Sequence, residues 1–529
     1  MTNQLTYEGF WDGLASFDES VLQSNGCLLK PENRSSTIFP IFKNSSVNTS
    51  IQFLSYWLKK HGNNVVVCFT VRNVDGKQLD KSYEIITECR AYCIQISDLF
   101  SKVENGFCGS VEVEVFSKNR PLFTFPAITV CYEGNDSSSV VHSCIRTYNN
   151  GEVVDDYAIM YPQTGFDLDF SDHTKNLICF FGGKAAVYNL CLELVEGDFS
   201  RKYQLELSNA AYGQMHIIWL EDIIGRTNAG LYKKPKCIIH HDLEDVFPRF
   251  YVGILNEACA PSMTHTFYDT SEAGGVVNSN TLNLRANNQD HLNYFDSAVS
   301  VPLFSSKSFD TVLRTYGQNL FFSGDAVLSI HTLEGDVIYS RSLSQQEVSS
   351  LCGNGKLDLS EILNQAHADA EKPYCLKLAF VDKKSPFPRR FKLGLNVKRK
   401  TQQFGTNICF SPLVILEDTL RKPFNRSWFP VGGPRNYVAT IHNTALERME
   451  LSETTQCNFE FFNHRGEAFS RCIYVSKNGS VFLDAEQDKE LNDFLGKEQG
   501  WCMVTSKSYL TDAYYFSLAD KQIGGDHAY

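Results

Sequence analysis

The stretch "GSVEVEVFS", Gly109–Ser117, decides the fold. Successive side chains of an extended chain point to opposite faces. Val111, Val113 and Val115 therefore share one side, and Glu112 and Glu114 the other. That alternation predicts a strand of an antiparallel sheet, with the valines in a core and both glutamates in solvent.

The surroundings of this strand recur. Four alternating segments carry a tight polar turn: "VVVCFTVRNVDGKQL", "VYNLCLELVEGDFSRKYQLEL", "AVLSIHTLEGDVIYSRSL" and "CNFEFFNHRGEAFSRCIYV". The turns Asp75-Gly76, Gly197-Asp198, Gly335-Asp336 and Arg465-Gly466 suit hairpins, because glycine accepts positive φ. Each hairpin is followed by a short segment holding an acid among apolar residues: "IQISDLF", "IIWLEDIIG", "LDLSEIL" and "LNDFL". A second strand pair then closes each copy. The acids Asp98, Asp222, Glu361 and Asp493 are 124, 139 and 132 residues apart. A second landmark, at His142, His265, Asn407 and His527, is spaced 123, 142 and 120 residues. Two landmarks sharing one period mark a repeat long enough to hold its own core.

Strands with turn signals every 8–15 residues read as β-sandwiches. The expected fold is all-β, four tandem antiparallel β-sandwich-like repeats with little helix. Repeat A with an N-terminal arm covers 1–149, repeat B 150–279, repeat C 280–414 and repeat D 415–529. Helix is scarce, and its best candidates lie after Leu359 and after Asp484. Phe125-Pro126, Phe247-Pro248 and Phe387-Pro388 suit edges or bends, since proline donates no ladder bond. At the level of fold the pattern resembles immunoglobulin-like sandwiches, a likeness that implies no activity.

Composition narrows the function classes. The chain has 529 residues, 49 basic against 61 acidic, a net charge of −12. A diffuse acidic excess weighs against nucleic acid and anionic membrane, which need a basic footprint. The one basic run, "KKSPFPRRFKLGLNVKRK" at Lys383–Lys400, reads as a solvated strand face. No run approaches the roughly 20 apolar residues of a membrane span, and the first residues lack a secretory signal pattern. The 17 cysteines are scattered without a CxxC, so free thiols of a reducing, cytoplasmic compartment are expected rather than disulfides or zinc. There is no GxSxG, P-loop, dinucleotide glycine fingerprint or HExxH. No cofactor and no metal are expected.

Candidate site residues cluster at the ends of the repeats. They are His142 with Arg146, His265 with Tyr268 and Asp269, and His527. Imidazole serves as metal ligand, base or neutral hydrogen-bonding group. Because Asn407 takes the same place in repeat C, the simplest role is closure of the last strand by a bond to nearby backbone. His240 and His241 are adjacent on a strand and cannot share one ion. The expected function is a non-catalytic binding or assembly protein for a protein or glycan partner, and a homo-oligomer is compatible with it. Trp428, Phe429 and Tyr268 are its expected contact anchors. The alternative is an enzyme with a His-based, possibly metal-dependent, site between repeats; convergence of the histidines separates the two.

Overall fold

A computed structural model describes residues 4–5, 34–62, 64–117, 125–148, 161–197, 199–225, 230, 232, 235–256, 259–268, 295–316, 325–382, 392–414, 425–445, 453–507 and 511–529. The chain divides into two compact units. The first holds Met1–Gln163, Leu168–His265 and His464–Glu467, and the second Thr164–Asp167, Thr266–Asn463 and Ala468–Tyr529.

One strand plan recurs along the chain. Repeat A contributes β1 (Gln4–Leu5), β2 (Arg34–Lys43), β3 (Val47–Leu54), β4 (Val65–Asn73), β5 (Gln78–Ile86), β6 (Ala91–Gln95), β7 (Phe107–Ser117), β8 (Thr129–Gly134) and β9 (Ser137–His142). They form two antiparallel sheets, β1-β5-β4-β7-β2 and β6-β3-β8-β9. Repeat B has β10 (Thr174–Phe181), β11 (Val187–Glu196), β12 (Phe199–Ser208), β13 (Met215–Trp219), β14 (Lys236–His241), β15 (Tyr251–Asn256) and β16 (Ser262–His265). Its sheets are β12-β11-β14 and β13-β10-β15-β16. Where A has its opening strand, the described residues of B show a bridge from Gln163 to Ile239.

Repeat C has β17 (Phe295–Leu303), β18 (Phe309–Thr315), β19 (Asp325–His331), β20 (Val337–Leu343), β21 (Lys356–Asp358), β22 (Tyr374–Asp382), β23 (Leu393–Arg399), β24 (Thr406–Phe410) and β25 (Leu413–Val414). Repeat D has β26 (Asn425–Gly432), β27 (Tyr437–Asn443), β28 (Thr454–Phe462), β29 (Ala468–Ser476), β30 (Ser480–Leu483), β31 (Gln499–Ser506), β32 (Thr511–Ser517) and β33 (Gly524–His527). The orders β20-β19-β22-β17 and β21-β18-β23-β24 reproduce those of A. In D the same two ribbons merge into one sheet through a pair at Gly432 and Tyr437. All four hairpin glycines, Gly76, Gly197, Gly335 and Gly466, have positive φ. Each acid landmark lies exposed in a short helix: Ile96–Leu99, Leu220–Ile224, Leu359–Gln365 and Lys489–Leu495. A further helix, Gln345–Asn354, starts at a capping box between Ser344 and Glu347 that the sequence reading passed over.

Within each unit the first repeat leans on the second. The turn of A's hairpin meets B, where Met215 donates its backbone N–H to Val74 at 2.9 Å. A Cβ on Gly76 would come within 2.7 Å of the Gln214 nitrogen, so this turn needs glycine for room as well as for φ. In the second unit C's hairpin turn meets D the same way: Ser480 donates to Leu333 at 2.8 Å. The apolar core there is shared, with Tyr514, Phe516 and Ile523 of D packed among the leucines and valines of C.

This leaning corrects one expectation. Val111, Val113 and Val115 are buried as expected, but Glu112 is only 3% exposed and Glu114 is half-buried. The glutamate face is covered rather than wet. Arg34 bonds Glu112 at 3.1 Å and Glu114 at 2.7 Å, and Arg72 reaches Glu112 at 3.3 Å. Thr147 and, from repeat B, Tyr212 donate to the same Glu112 oxygen at 3.2 and 3.1 Å. Burial works against the Arg34 charge, yet Glu114 and Glu112 outweigh it and hold the guanidinium protonated.

Breaking one partner of a buried pair leaves the other charge uncompensated. Glu112→Ala should cost about 3–5 kcal/mol in chemical denaturation. A solvent-facing glutamate would cost under about 0.5 kcal/mol, and that result would refute its burial.

Candidate functional site

The strands β9, β16, β24 and β33 each pair with the strand before them, and the terminal landmark sits at an equivalent place each time. His142 lies opposite Thr129, His265 opposite Tyr251, Asn407 opposite Asn396 and His527 opposite Tyr514. The first repeat of each unit thus offers a short polar partner and the second a tyrosine.

In the first unit the last strands of A and B lie side by side. Ser139 in β9 donates its hydroxyl to the Met263 carbonyl at 3.1 Å and accepts from the Met263 N–H at 2.8 Å. Ser137 accepts from the Ala260 N–H at 2.8 Å. These hydroxyls stitch strands that form no regular ladder, and they bring the two histidines into contact. The rings of His142 and His265 meet edge to face, with centroids 4.6 Å apart and planes at 86°. His265 is buried and His142 half-buried. Arg146, also buried, stacks over Tyr148 at 5.4 Å, and its carbonyl accepts from the Phe247 N–H of repeat B.

The second unit joins its last strands similarly but without an imidazole pair. The Thr406 hydroxyl in β24 donates to the Gly525 carbonyl in β33 at 3.0 Å. Asn407 donates to the Tyr316 hydroxyl at 2.8 Å and to Asn396 Oδ1 at 2.6 Å, and Asn396 in turn donates to Asp167 at 2.8 Å. The Nδ1 atom of His527 lies 2.8 Å from the Ala528 carbonyl. The expected backbone closure therefore describes His527. The Asn407 amide joins a side-chain network, and the His142 ring meets that of His265.

A second polar centre lies inside this unit. Asp512 accepts from the Ser300 N–H of repeat C at 2.9 Å and from the Thr444 hydroxyl at 2.7 Å. Burial pushes its carboxyl up to about 7 against the pull of those two bonds. Its cross-strand neighbour His442 bonds Ser480 at 2.7 Å and is pushed down to about 3 by burial. The Cys375 thiol, beside Ser480 and Ser300, is pushed up to about 12, again by burial. A nucleophilic cysteine needs the opposite shift, so the Cys375 thiol is not activated, and the bonds of Asp512 to Ser300 and Thr444 join C to D.

Other expectations fare variously. Trp428, Phe429 and Tyr268 are all buried and cannot be exposed contact anchors. The reason at Trp428 is the chain's last residue: Tyr529 stacks on the indole at 6.2 Å and exchanges backbone bonds with it. Phe429 sits in β26, flanked by strands on both sides. Asp269 and residues 383–391 of the basic run lie outside the described residues. His240 bonds Glu193 at 3.0 Å while His241 turns toward Phe250, so the two diverge as expected. Fifteen cysteines among the described residues are free thiols, nine of them buried.

No protein-family model matches the chain, and no curated protein matches it in sequence. Among solved structures, a crystal structure of a tetra-tandem repeat in the extending region of a large adhesion protein aligns over 88% of this chain and 91% of that one. The identity is 9% and the TM-score 0.09, too low to bear on function.

Two outcomes are expected. His265→Asn should be better tolerated than His265→Ala in thermal unfolding, because a carboxamide keeps one planar hydrogen-bonding edge; the alanine change should cost about 1–3 kcal/mol. Asp512 makes stability depend on pH. Its folded value near 7 lies above the 3.8 of a free carboxyl. Its contribution is therefore complete below about 4 and is lost as pH rises through about 7. Asp512→Asn should match the parent at pH 4 and exceed it at pH 8. Equal pH profiles for the two chains would show that Asp512 is not held protonated.

Proposed function

We propose that the chain is a non-catalytic, multivalent binding or assembly protein whose contact elements are its four hairpins, with a protein or glycan as partner. The observation that carries this reading is a repeated display. The second hairpin strand of each repeat, β5, β12, β20 and β29, lies toward the outer end of its sheet and presents a large apolar side chain to solvent. These are Ile85 (39% exposed), Phe199 (52%), Val337 (58%) and Tyr474 (68%). Repeated weak contacts gain strength by effective concentration rather than by any single deep pocket. The buried free thiols suit a reducing compartment, and the reading places the protein in the cytoplasm.

A glycan array and immobilised copies of the chain itself provide the ligands for a test. Phe199→Ser, Val337→Ser and Tyr474→Ser should each weaken binding modestly, and the triple change should weaken it by roughly 10²-fold or more through lost avidity. Loss of all binding on one substitution, or on none, would contradict a multivalent mode.

A second reading, an enzyme with a His-based and possibly metal-dependent site between repeats, is favoured by the contact of His142 with His265. Metal analysis of the purified chain and of His265→Asn separates the readings. Stoichiometric metal lost on His265→Asn with unfolding unchanged would favour the enzyme.

A further inference from the structure

The start of the chain already acts as an added strand. β1 pairs antiparallel with β5, Gln4 opposite Glu84 and Leu5 opposite Tyr83, and so covers the outer edge of A's hairpin. By the repeat, β12 is the counterpart of β5 in B. It ends its sheet among the described residues, with β11 on one side and no strand on the other. An uncovered edge is a row of backbone donors and acceptors that will pair with an extended segment.

Among the open hairpin edges β12 is the most available. It runs ten residues, Phe199–Ser208, against seven in β20 and nine in β29, and none of its residues is buried. The arginines of the other two edges are engaged, Arg341 with Glu347 and Arg471 with Asp488. In β12, Arg201 and Lys202 are exposed, with Lys202 3.5 Å from Glu193 and Arg201 over the Tyr203 ring. A Cβ on Gly197, just before β12, would meet nothing within 4 Å.

The first twenty residues have the complementary chemistry. "MTNQLTYEGFWDGLASFDES" holds Glu8, Asp12, Asp18 and Glu19 and no lysine or arginine. Tyr7, Phe10, Trp11 and Phe17 supply aromatic surface for an edge that exposes Phe199. Residues 1–33 precede β2. We propose that the edge of β12 takes the N-terminal arm of a second copy of this chain as an added antiparallel strand. The arm then has two berths, its own β5 and a neighbour's β12. Because donor and acceptor surfaces differ, the contact is heterologous and propagates from copy to copy. This inference rests on the binding or assembly reading and names its partner.

Sedimentation of the full chain across a concentration series tests it, with hydrogen exchange read at Phe199–Ser208. Association is expected, with protection of β12 amides rising with concentration. A synthetic peptide of residues 1–22, added in excess, should dissolve the assembly while keeping β12 protected. Arg201→Glu with Lys202→Glu alters two exposed side chains, so the fold should stand by circular dichroism and melting. That variant should associate about tenfold more weakly through reversed rim charge. A chain that stays monomeric while the peptide leaves β12 unprotected overturns the inference. So does association that the double variant does not weaken. Binding of a glycan through the hairpins by a chain that never self-associates would leave the broader reading standing and sink this one alone.

Discussion

The carboxylate of Glu112 is out of reach of water, and the first unit is organised around that fact. A lone ionised carboxylate in such a place is costly, so it must be met by charge and by donors. Arg34, Arg72 and Thr147 come from repeat A, but Tyr212 comes from B. The face that pattern alone assigns to solvent is therefore a face between repeats. Once Tyr212 and the backbone of residues 212–215 are placed there, the turn at Gly76 has no room for a side chain, and the last strands of A and B are brought alongside each other. The contact of His142 with His265 follows from that alignment.

The second unit reaches the same arrangement by different chemistry. It has a shared apolar core and a buried carboxyl, Asp512, held by Ser300 and Thr444 and pushed toward neutrality by burial. Its turn contact, Leu333 with Ser480, and its strand contact, Thr406 with Gly525, repeat those of the first unit. The repeat is therefore kept in strand order and in how members of a pair lean together. What fills each joint is free to change: an ion network at Glu112, an apolar core with Asp512 in the second unit.

Much of the fold was legible because its signals are local. A glycine at each hairpin turn, an acid in each short helix and a polar residue at each last strand lie within one repeat and recur at one period. Burial across a joint is not local. Nothing within "GSVEVEVFS" says that Tyr212 will cover Glu112, about a hundred residues further on. Trp428 and Phe429 look like exposed aromatics in a Pro/Gly-rich stretch, yet the strand they belong to is central and the chain's last residue closes over the indole. The candidate histidines were found by spacing, while which of them meet depends on how repeats pair, which spacing does not encode.

Native-state hydrogen exchange under rising denaturant tests most directly whether repeats stand in pairs. If A depends on B for cover, amides of β7 and of β13 should exchange through one opening, with the same free energy and the same denaturant slope. Two separate isotherms, with β7 opening while β13 stays closed, would mean that A stands on its own and that the buried centre at Glu112 does not bind the pair.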